Sequence, residues 1–374
     1  MSDRFITQLW RKSGEWLHTD TAAAHPAGSF AVLQAPHQPM PSAMSPPRVL
    51  LTDPLHPDAF ARLTQWAEAE QIPDWVVREA SDAWLREAIG RFDGIVVRRF
   101  LPADLFDHPH RLRCVMRQGV GLDFIPVERA TARGIPVGNT PAVNANAVAE
   151  YVFAALLAHA RQLADFDASV RAGDWAVRAQ AGARTFELRG RTLGLIGFGA
   201  IGQRIAAIAQ QGFGMGVAVC TGTPAKVPAG MTALQLPALF AASDFVVVAC
   251  PLTPQTRGMV DAEVLSHAKP GAVLINVGRG PVVREQDLVH ALAHGPLGGA
   301  VLDVFETQPL PTDSGLRQHP RVLLTPHLAG ITQEAEQAMG LMAVDTLEAV
   351  LLRGERPPNI VNPEVFDAPP PPGR

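Results

Sequence analysis

Three short stretches of this chain carry residue types that can do chemistry: a glycine turn, an arginine on a second glycine turn, and a histidine after a proline. Gly197-Phe-Gly-Ala-Ile-Gly202 separates a short apolar run, Leu193 to Ile196, from a segment with apolar residues at Ile201, Ile205, Ile208 and Ala209. That recurrence is one buried helix face, so the glycines form a strand-to-helix turn. There the first helical N–H groups have no partner, and glycines without Cβ atoms let a pyrophosphate come close. Gly197, Gly199, Ala200, Ile201 and Gly202 are therefore expected to hold a dinucleotide.

An acidic side chain about 20 residues further on would bond the adenosine ribose and repel a 2′-phosphate. Here the apolar run Gly216–Cys220 leads into Thr221-Gly-Thr-Pro-Ala-Lys226, with no carboxylate. Thr221 tolerates either nucleotide and Lys226 offers positive charge, so the cofactor is read as NAD(P), with a lean to NADP. Arg279, in Asn276-Val-Gly-Arg-Gly280, follows another apolar run and can hold a carboxylate with two parallel hydrogen bonds. His327, in Thr325-Pro-His327, can donate and accept a proton near neutral pH. Arg117-Gln-Gly-Val-Gly-Leu-Asp123 adds a loop whose backbone N–H groups can face an anion.

These residues need a scaffold that brings distant strand ends together. Apolar strands are expected at 48–52, 94–97 and 112–116, with helices near 57–70, 82–89 and 124–133. A long alanine-rich helix over 142–162 follows. From 192 the alternation is regular, with strands at 192–196, 216–220, 245–250, 273–277, 300–304 and 321–325. Helices fall between them near 201–211, 235–242, 261–268 and 284–293, and a last helix spans about 332–352. Nearly continuous apolar strands alternating with helices imply parallel sheets covered on both faces. The expected fold class is α/β, with two Rossmann-like, doubly wound domains and a cleft between them. The proline-rich segment 1–47 reads as a disordered extension, with Met44 an alternative start; 363–374 form a tail, of which the proline-rich part 367–374 reads as disordered too.

A length of 374 residues fits two domains at about 100–200 residues each, and 47% hydrophobic residues can fill two cores. Net charge is −4 and no Lys/Arg block stands out, which argues against a nucleic-acid partner. Cys114, Cys220 and Cys250 sit in apolar surroundings without metal-ligand spacing, so they read as small buried hydrophobes and no metal is expected. No signal-peptide run is visible, and no apolar stretch approaches the roughly 20 residues that span a bilayer. A cytoplasmic protein without a membrane partner is expected.

Taken together, the chain resembles the D-isomer-specific 2-hydroxyacid dehydrogenases over about residues 48–362. The matching stretches are Arg117–Asp123, Asn144–Glu150, Leu195–Gly202, Pro251–Thr256, Asn276–Gly280, Ala300–Pro309 and Thr325–Gly330. The resemblance implies a substrate domain of 48–145 plus 331–362, with a dinucleotide domain of 146–330 inserted in it. It also implies a homodimer, the helix near 142–162 contributing to the interface. Cofactor contacts extend by this resemblance to Cys250, Pro251, Thr256, Val277, Gly278 and Asp303, beside Thr221, Arg279 and His327. Val120 and Gly121 would anchor a substrate carboxylate through their N–H groups. Arg279 would bind a 2-oxo acid, hydride would pass from the nicotinamide to its C2, and His327 would protonate the emerging alkoxide.

One position departs from the family. A Glu is usual five residues after the Asp of Leu-Asp-Val-Phe, and here it is Gln308. Gln can orient the imidazole of His327 but cannot stabilise its charge, so an unperturbed pKa of about 6.5 would leave it mostly neutral at pH 7.5. Glu306 would compensate only if its loop turned it toward His327. Formate dehydrogenases, a branch of the same superfamily, also carry Gln there. Their acidic residue after the second nucleotide-domain strand is missing here, and their Gly-Ile-Gly loop reads Gly119-Val-Gly121. Thr221-Gly222 and the Pro-Leu-Pro311 segment are similar to glyoxylate/hydroxypyruvate reductases, which makes a small 2-oxo acid the expected substrate. The alternatives are a phosphoglycerate dehydrogenase, where Arg98 and Arg99 would meet a phosphate unless they are merely solvated, a formate dehydrogenase, or a nucleotide-sensing binding protein without turnover.

Overall fold

The computed structural model describes residues 45–74, 76 and 80–367. Met1–Ser45 and Pro46–Arg374 form separate units, and the elements below belong to the second. Most of the expected N-terminal extension, 1–44, lies outside the described residues, as do 368–374. Pro47 is already part of the fold: it is buried, and its carbonyl accepts from the Glu68 N–H (2.9 Å).

The first sheet contains β1 (Arg48–Leu51), β2 (Glu68–Gln71), β3 (Gly94–Val97), β4 (Cys114–Arg117) and β5 (Val137–Gly138). All pair in parallel, in the order β2-β1-β3-β4-β5. Its helices are α1 (Pro57–Leu63), α2 (Ser81–Ala88) and α3 (Val127–Ala132). The second sheet follows two helices, α4 (Ala145–Arg161) and α5 (Leu163–Arg171), and a short α6 (Ala181–Arg184). Its strands are β6 (Thr192–Ile196), β7 (Gly216–Cys220), β8 (Thr232–Ala233), β9 (Phe245–Val248), β10 (Val273–Asn276), β11 (Gly299–Leu302) and β12 (Val322–Leu324). They too are parallel, in the order β12-β11-β10-β9-β6-β7-β8. Between them run α7 (Ala200–Phe213), α8 (Leu236–Ala242), α9 (Ala262–Ser266) and α10 (Glu285–His294), and α11 (Gln333–Arg353) closes the chain.

Each sheet is buried on both faces, which is why its central strands are mostly apolar, with polar residues only at their ends, such as Arg48, Arg117, Thr192 and Asn276. Leu193, Leu195 and Val247 pack under α4 and α7, while Ile196, Val246 and Val248 pack under α8 and α10. In the first sheet, Leu50, Ile95 and Val115 meet Leu85 and Ala130, and Val49, Val96 and Met116 meet Ala59, Val344 and Leu347. The last helix thus returns to the first sheet. The Thr332 hydroxyl accepts from Ala335 N–H (3.2 Å) at its start, a cap of about 1 kcal/mol, and Gly354 at φ 62° ends it.

Several expected boundaries change. The helix read over 57–70 stops at Leu63, and 68–71 instead form the edge strand β2. Glu-Ala-Glu-Gln lacks an apolar face; it is held by backbone pairing to β1 and by Arg48 Nη2 donating to Glu70 (2.8 Å), and charge suits an exposed edge. Helices α5 and α6 were not anticipated, because no residue of either is buried. The C-terminal region is built in beyond 363 as well: Pro363–Phe366 form a 3₁₀ turn. Just before it, buried Asn362 accepts from Val137 N–H (2.7 Å) and donates to Ile135 O (2.9 Å).

Strand order reverses between β1 and β3 in the first sheet and between β6 and β9 in the second. At such switch points adjacent loops part, leaving a crevice beyond the strand C-termini. Loops from the two sheets line one cleft of about 1390 Å³.

Candidate active site

The three glycines of the first turn differ physically. Gly197 has φ 101°, and a Cβ on it would lie 2.8 Å from the Cys250 nitrogen. A Cβ on Gly202 would lie 2.4 Å from the Gly197 carbonyl oxygen, so this glycine lets helix α7 pack against the turn. Gly199 has ordinary backbone geometry and open space where its Cβ would be. It lines the cleft with Ala200 and Ile201, at the N-terminus of α7 where unpaired N–H groups and the helix dipole favour an anion. The open space at Gly199 and the helix N-terminus suit the approach of a pyrophosphate.

The cleft wall opposite includes Cys250, Pro251, Val277 and Gly278. Burial pushes the Cys250 thiol up to about 11, so it is apolar wall rather than a nucleophile; Cys114, in the core of the first sheet, is pushed up to about 12. Gly197, Gly202, Thr221 and Thr256 do not themselves line the cleft. Thr256 braces the loop after β9, its hydroxyl donating to Pro251 O (2.7 Å) while Thr253 N–H donates to it (2.8 Å). Thr221 accepts from Thr223 N–H (3.3 Å), and Lys226 is exposed on the following 3₁₀ turn.

Arg279 is held by a polar turn and reaches across the cleft. Asn276 shapes the turn, accepting from Gly278 N–H and donating to Arg279 O, each 3.1 Å. The guanidinium donates through Nη1 to Gly278 O (2.8 Å) and through Nε to Asp123 (3.0 Å) on the loop after β4. A Cβ on Gly121 would lie 1.4 Å from Arg279 Nη2, so any side chain there would displace the guanidinium from its seat on the loop. Arg117 supports that loop from one side, donating to Val97 O (2.7 Å), Gln118 O (3.0 Å) and Gly121 O (3.2 Å), with its guanidinium 4.0 Å from the Phe124 ring centroid. Burial, then the nearby Arg279 charge, brings its pKa down to about 10, which leaves it charged at neutral pH.

His327 sits at φ 56°, and Asp303 holds the turn that carries it. Asp303 is fully buried and accepts from Thr325 Oγ1 (2.6 Å), Leu328 N–H (2.8 Å) and Ala329 N–H (2.9 Å), while its carbonyl accepts from His327 N–H (2.8 Å). The Thr325 proton is committed to Asp303, so Tyr151, the chain's sole tyrosine, donates to Thr325 (2.6 Å). Nothing in the sequence pattern announced this relay. Gln308 Oε1 lies 3.0 Å from His327 Nδ1 and accepts its proton, which leaves Nε2 as the working nitrogen. Burial lowers the His327 pKa and the Arg279 charge lowers it further, against a smaller opposing effect of Asp303. Glu306 does not help: its carboxylate accepts from Glu285 N–H (3.2 Å), and its own N–H donates back to Glu285.

Two expectations are corrected by ion pairing. Arg98 and Arg99 are half-buried and ion-paired rather than freely solvated. Arg98 donates to Glu336 at the start of α11 (2.8 Å), and Arg99 to both Asp53 oxygens (2.9 and 3.2 Å). Neither is a free cation awaiting a phosphate.

Residues 153–329 match the profile of the D-isomer specific 2-hydroxyacid dehydrogenase NAD binding domain. A glyoxylate reductase of Pyrococcus furiosus is 40% identical over 310 residues, covering 80% of this chain and 89% of that protein. A D-3-phosphoglycerate dehydrogenase of Mycobacterium tuberculosis is 37% identical over 326 residues, but the chain spans only 59% of its length. Among solved structures, an NADPH-dependent glyoxylate/hydroxypyruvate reductase of Sinorhizobium meliloti, in complex with NADP and malonate, is similar with a TM-score of 0.76. It is 38% identical and covers 85% of this chain and 98% of that one. With the profile match, 40% identity over most of both chains to the Pyrococcus protein, and a similar solved structure, the family follows: the chain belongs to the D-isomer-specific 2-hydroxyacid dehydrogenases.

Proposed function

We propose that this chain reduces a small 2-oxo acid of the glyoxylate or hydroxypyruvate type to the D-2-hydroxy acid with NAD(P)H. The observation that carries this reading is the convergence of Arg279, the Gly119–Gly121 loop and the His327–Gln308 pair on the cleft that also holds the Gly199 cradle. A bound nicotinamide supplies the hydride. Val120 and Gly121 hold the substrate carboxylate, and Arg279 draws electron density from the 2-oxo group, steadying the negative charge that develops on its oxygen. His327, oriented by Gln308 through Nδ1, gives its Nε2 proton to that oxygen. Asp303 and Tyr151 act at one remove, by holding the turn that aims the imidazole.

Thr221 in place of a carboxylate, with Lys226 nearby in sequence, supports a preference for NADP, as does the NADP bound by the Sinorhizobium relative. The division into a substrate domain of 48–145 plus 331–362 and a dinucleotide domain of 146–330 is supported by α11 packing on the first sheet and α4 on the second. A homodimer is supported by α5 and the turn after it. There Leu163, Val170 and Trp175 are 57%, 51% and 71% exposed, and a helix with no buried face needs a partner to be stable. Among the described residues no helix is long and apolar enough to cross a membrane. Cytoplasmic residence is proposed with the reading, supported by three cysteines kept as free thiols.

The test is cofactor oxidation on adding glyoxylate or hydroxypyruvate, with chiral analysis of the product. D-glycerate from hydroxypyruvate supports the reading. Tight NADPH binding with no oxidation by any 2-oxo acid would instead favour a nucleotide-sensing protein.

A further inference from the structure

The substituent on the 2-oxo acid has to lie against residues that the reaction itself does not use. One of them is out of balance. Gln118 follows β4 and lines the cleft, yet it is only 3% exposed, and neither its Oε1 nor its Nε2 has a hydrogen-bond partner in the protein. A buried primary amide left unpaired at both ends is destabilising, so such an arrangement calls for an occupant that meets both. Its surroundings limit what that occupant can be. Met116 two residues before it packs toward α1 and α11, and Gln118 shares that face: its Nε2 lies 3.9 Å from where a Cβ on Gly340 of α11 would be. Met339 of α11 and Arg98, at the end of the neighbouring strand β3, also line the cleft. Arg98 is already neutralised by Glu336 at 2.8 Å. Arg117 alternates to the other face of β4, where it stacks on Phe124.

We infer that Gln118 is a specificity-determining residue that reads a hydroxyl on C3 of the substrate, accepting its proton at Oε1 and donating to its oxygen from Nε2. This rests on the 2-oxo acid reading above and names the substituent within it: hydroxymethyl. A hydrogen or a methyl group leaves both ends of the amide unmet. A phosphate or a second carboxylate offers only acceptors, so Oε1 stays unmet and the extra charge finds Arg98 already paired. A site built to hydrogen-bond a hydroxyl discriminates strongly against analogues that lack it.

The experiment compares kcat/KM for hydroxypyruvate, glyoxylate, pyruvate and phosphohydroxypyruvate with NADPH, in the wild type and in Gln118→Met and Gln118→Glu. The wild type is expected to favour hydroxypyruvate over pyruvate by at least tenfold. In Gln118→Met the hydroxypyruvate-to-glyoxylate ratio is expected to fall by ten- to a hundredfold, the loss of a hydrogen-bonded pair in a buried site. Gln118→Glu, which keeps the acceptor, is expected to keep more of that ratio than Gln118→Met. Wild-type turnover of glyoxylate with ratios that stay within threefold in both variants overturns the role of Gln118 alone. A wild-type preference for pyruvate or phosphohydroxypyruvate does the same. No wild-type turnover of any of the four acids overturns the underlying reading as well.

Discussion

Replacing Gln308 by Glu isolates the proton that must accompany the hydride. Reduction consumes a proton, and only protonated His327 supplies it readily, so activity is lost as pH rises through the His327 pKa. Burial and the Arg279 charge lower that pKa, which puts the descending limb below the ordinary value of about 6.5. At pH 7.5 the protonated fraction is then at most about one in eleven. Gln308 Oε1 is 3.0 Å from His327 Nδ1. A carboxylate at that distance raises an imidazole pKa by about 1–3 units. Because most of the ring is neutral at pH 7.5, each unit of increase raises the protonated fraction severalfold, a gain of roughly five- to tenfold in reductive kcat/KM. The assay is a pH–rate profile for hydroxypyruvate at saturating cofactor, in both proteins. Oxidation of the D-hydroxy acid, which needs the neutral ring, is expected to shift in the opposite sense, its ascending limb moving to higher pH in Gln308→Glu. A wild-type reductive limb above about pH 7.5, or a limb that stays put in the variant, refutes the reasoning.

Gly199→Ala is expected to fold normally, since no atom lies within 4 Å of the new Cβ, yet to raise the KM for the cofactor at least tenfold. Gly202→Ala is expected instead to lower stability by about 1–3 kcal/mol, because its Cβ would lie 2.4 Å from a backbone oxygen; thermal melting separates the two. Asp303→Asn offers an amide donor where Ala329 N–H now donates, and is expected to cost about 1–3 kcal/mol and to impair kcat by misplacing His327. NADPH is expected to be used with higher kcat/KM than NADH, and a tenfold advantage for NADH would contradict the reading of Thr221 and Lys226.

The second sheet was legible because burial on both faces makes its central strands mostly apolar, and its glycine turn follows the first of them. β2 was hidden by the opposite circumstance, a polar edge held by backbone bonds and by Arg48–Glu70. Helices α5 and α6 bury nothing within the chain, so their sequence carries no periodic stripe to read. Arg279 and His327 stood out because each follows an apolar strand on a turn. Asp123 and Tyr151 did not, since their roles arise from segments 156 and 174 residues apart in sequence meeting in space. Gln118 lies within a glycine loop that carries the sequence signal; its own significance lies in burial without a partner, which no spacing reveals.

The central claim is that this cleft moves a hydride from a nicotinamide to C2 of a 2-oxo acid. The most direct measurement uses NADPH deuterated at both C4 positions, with hydroxypyruvate as acceptor and mass spectrometry of the isolated glycerate. One deuterium per product molecule is expected, carried on C2, in the D enantiomer. Glycerate formed without deuterium, or the L enantiomer, would contradict it.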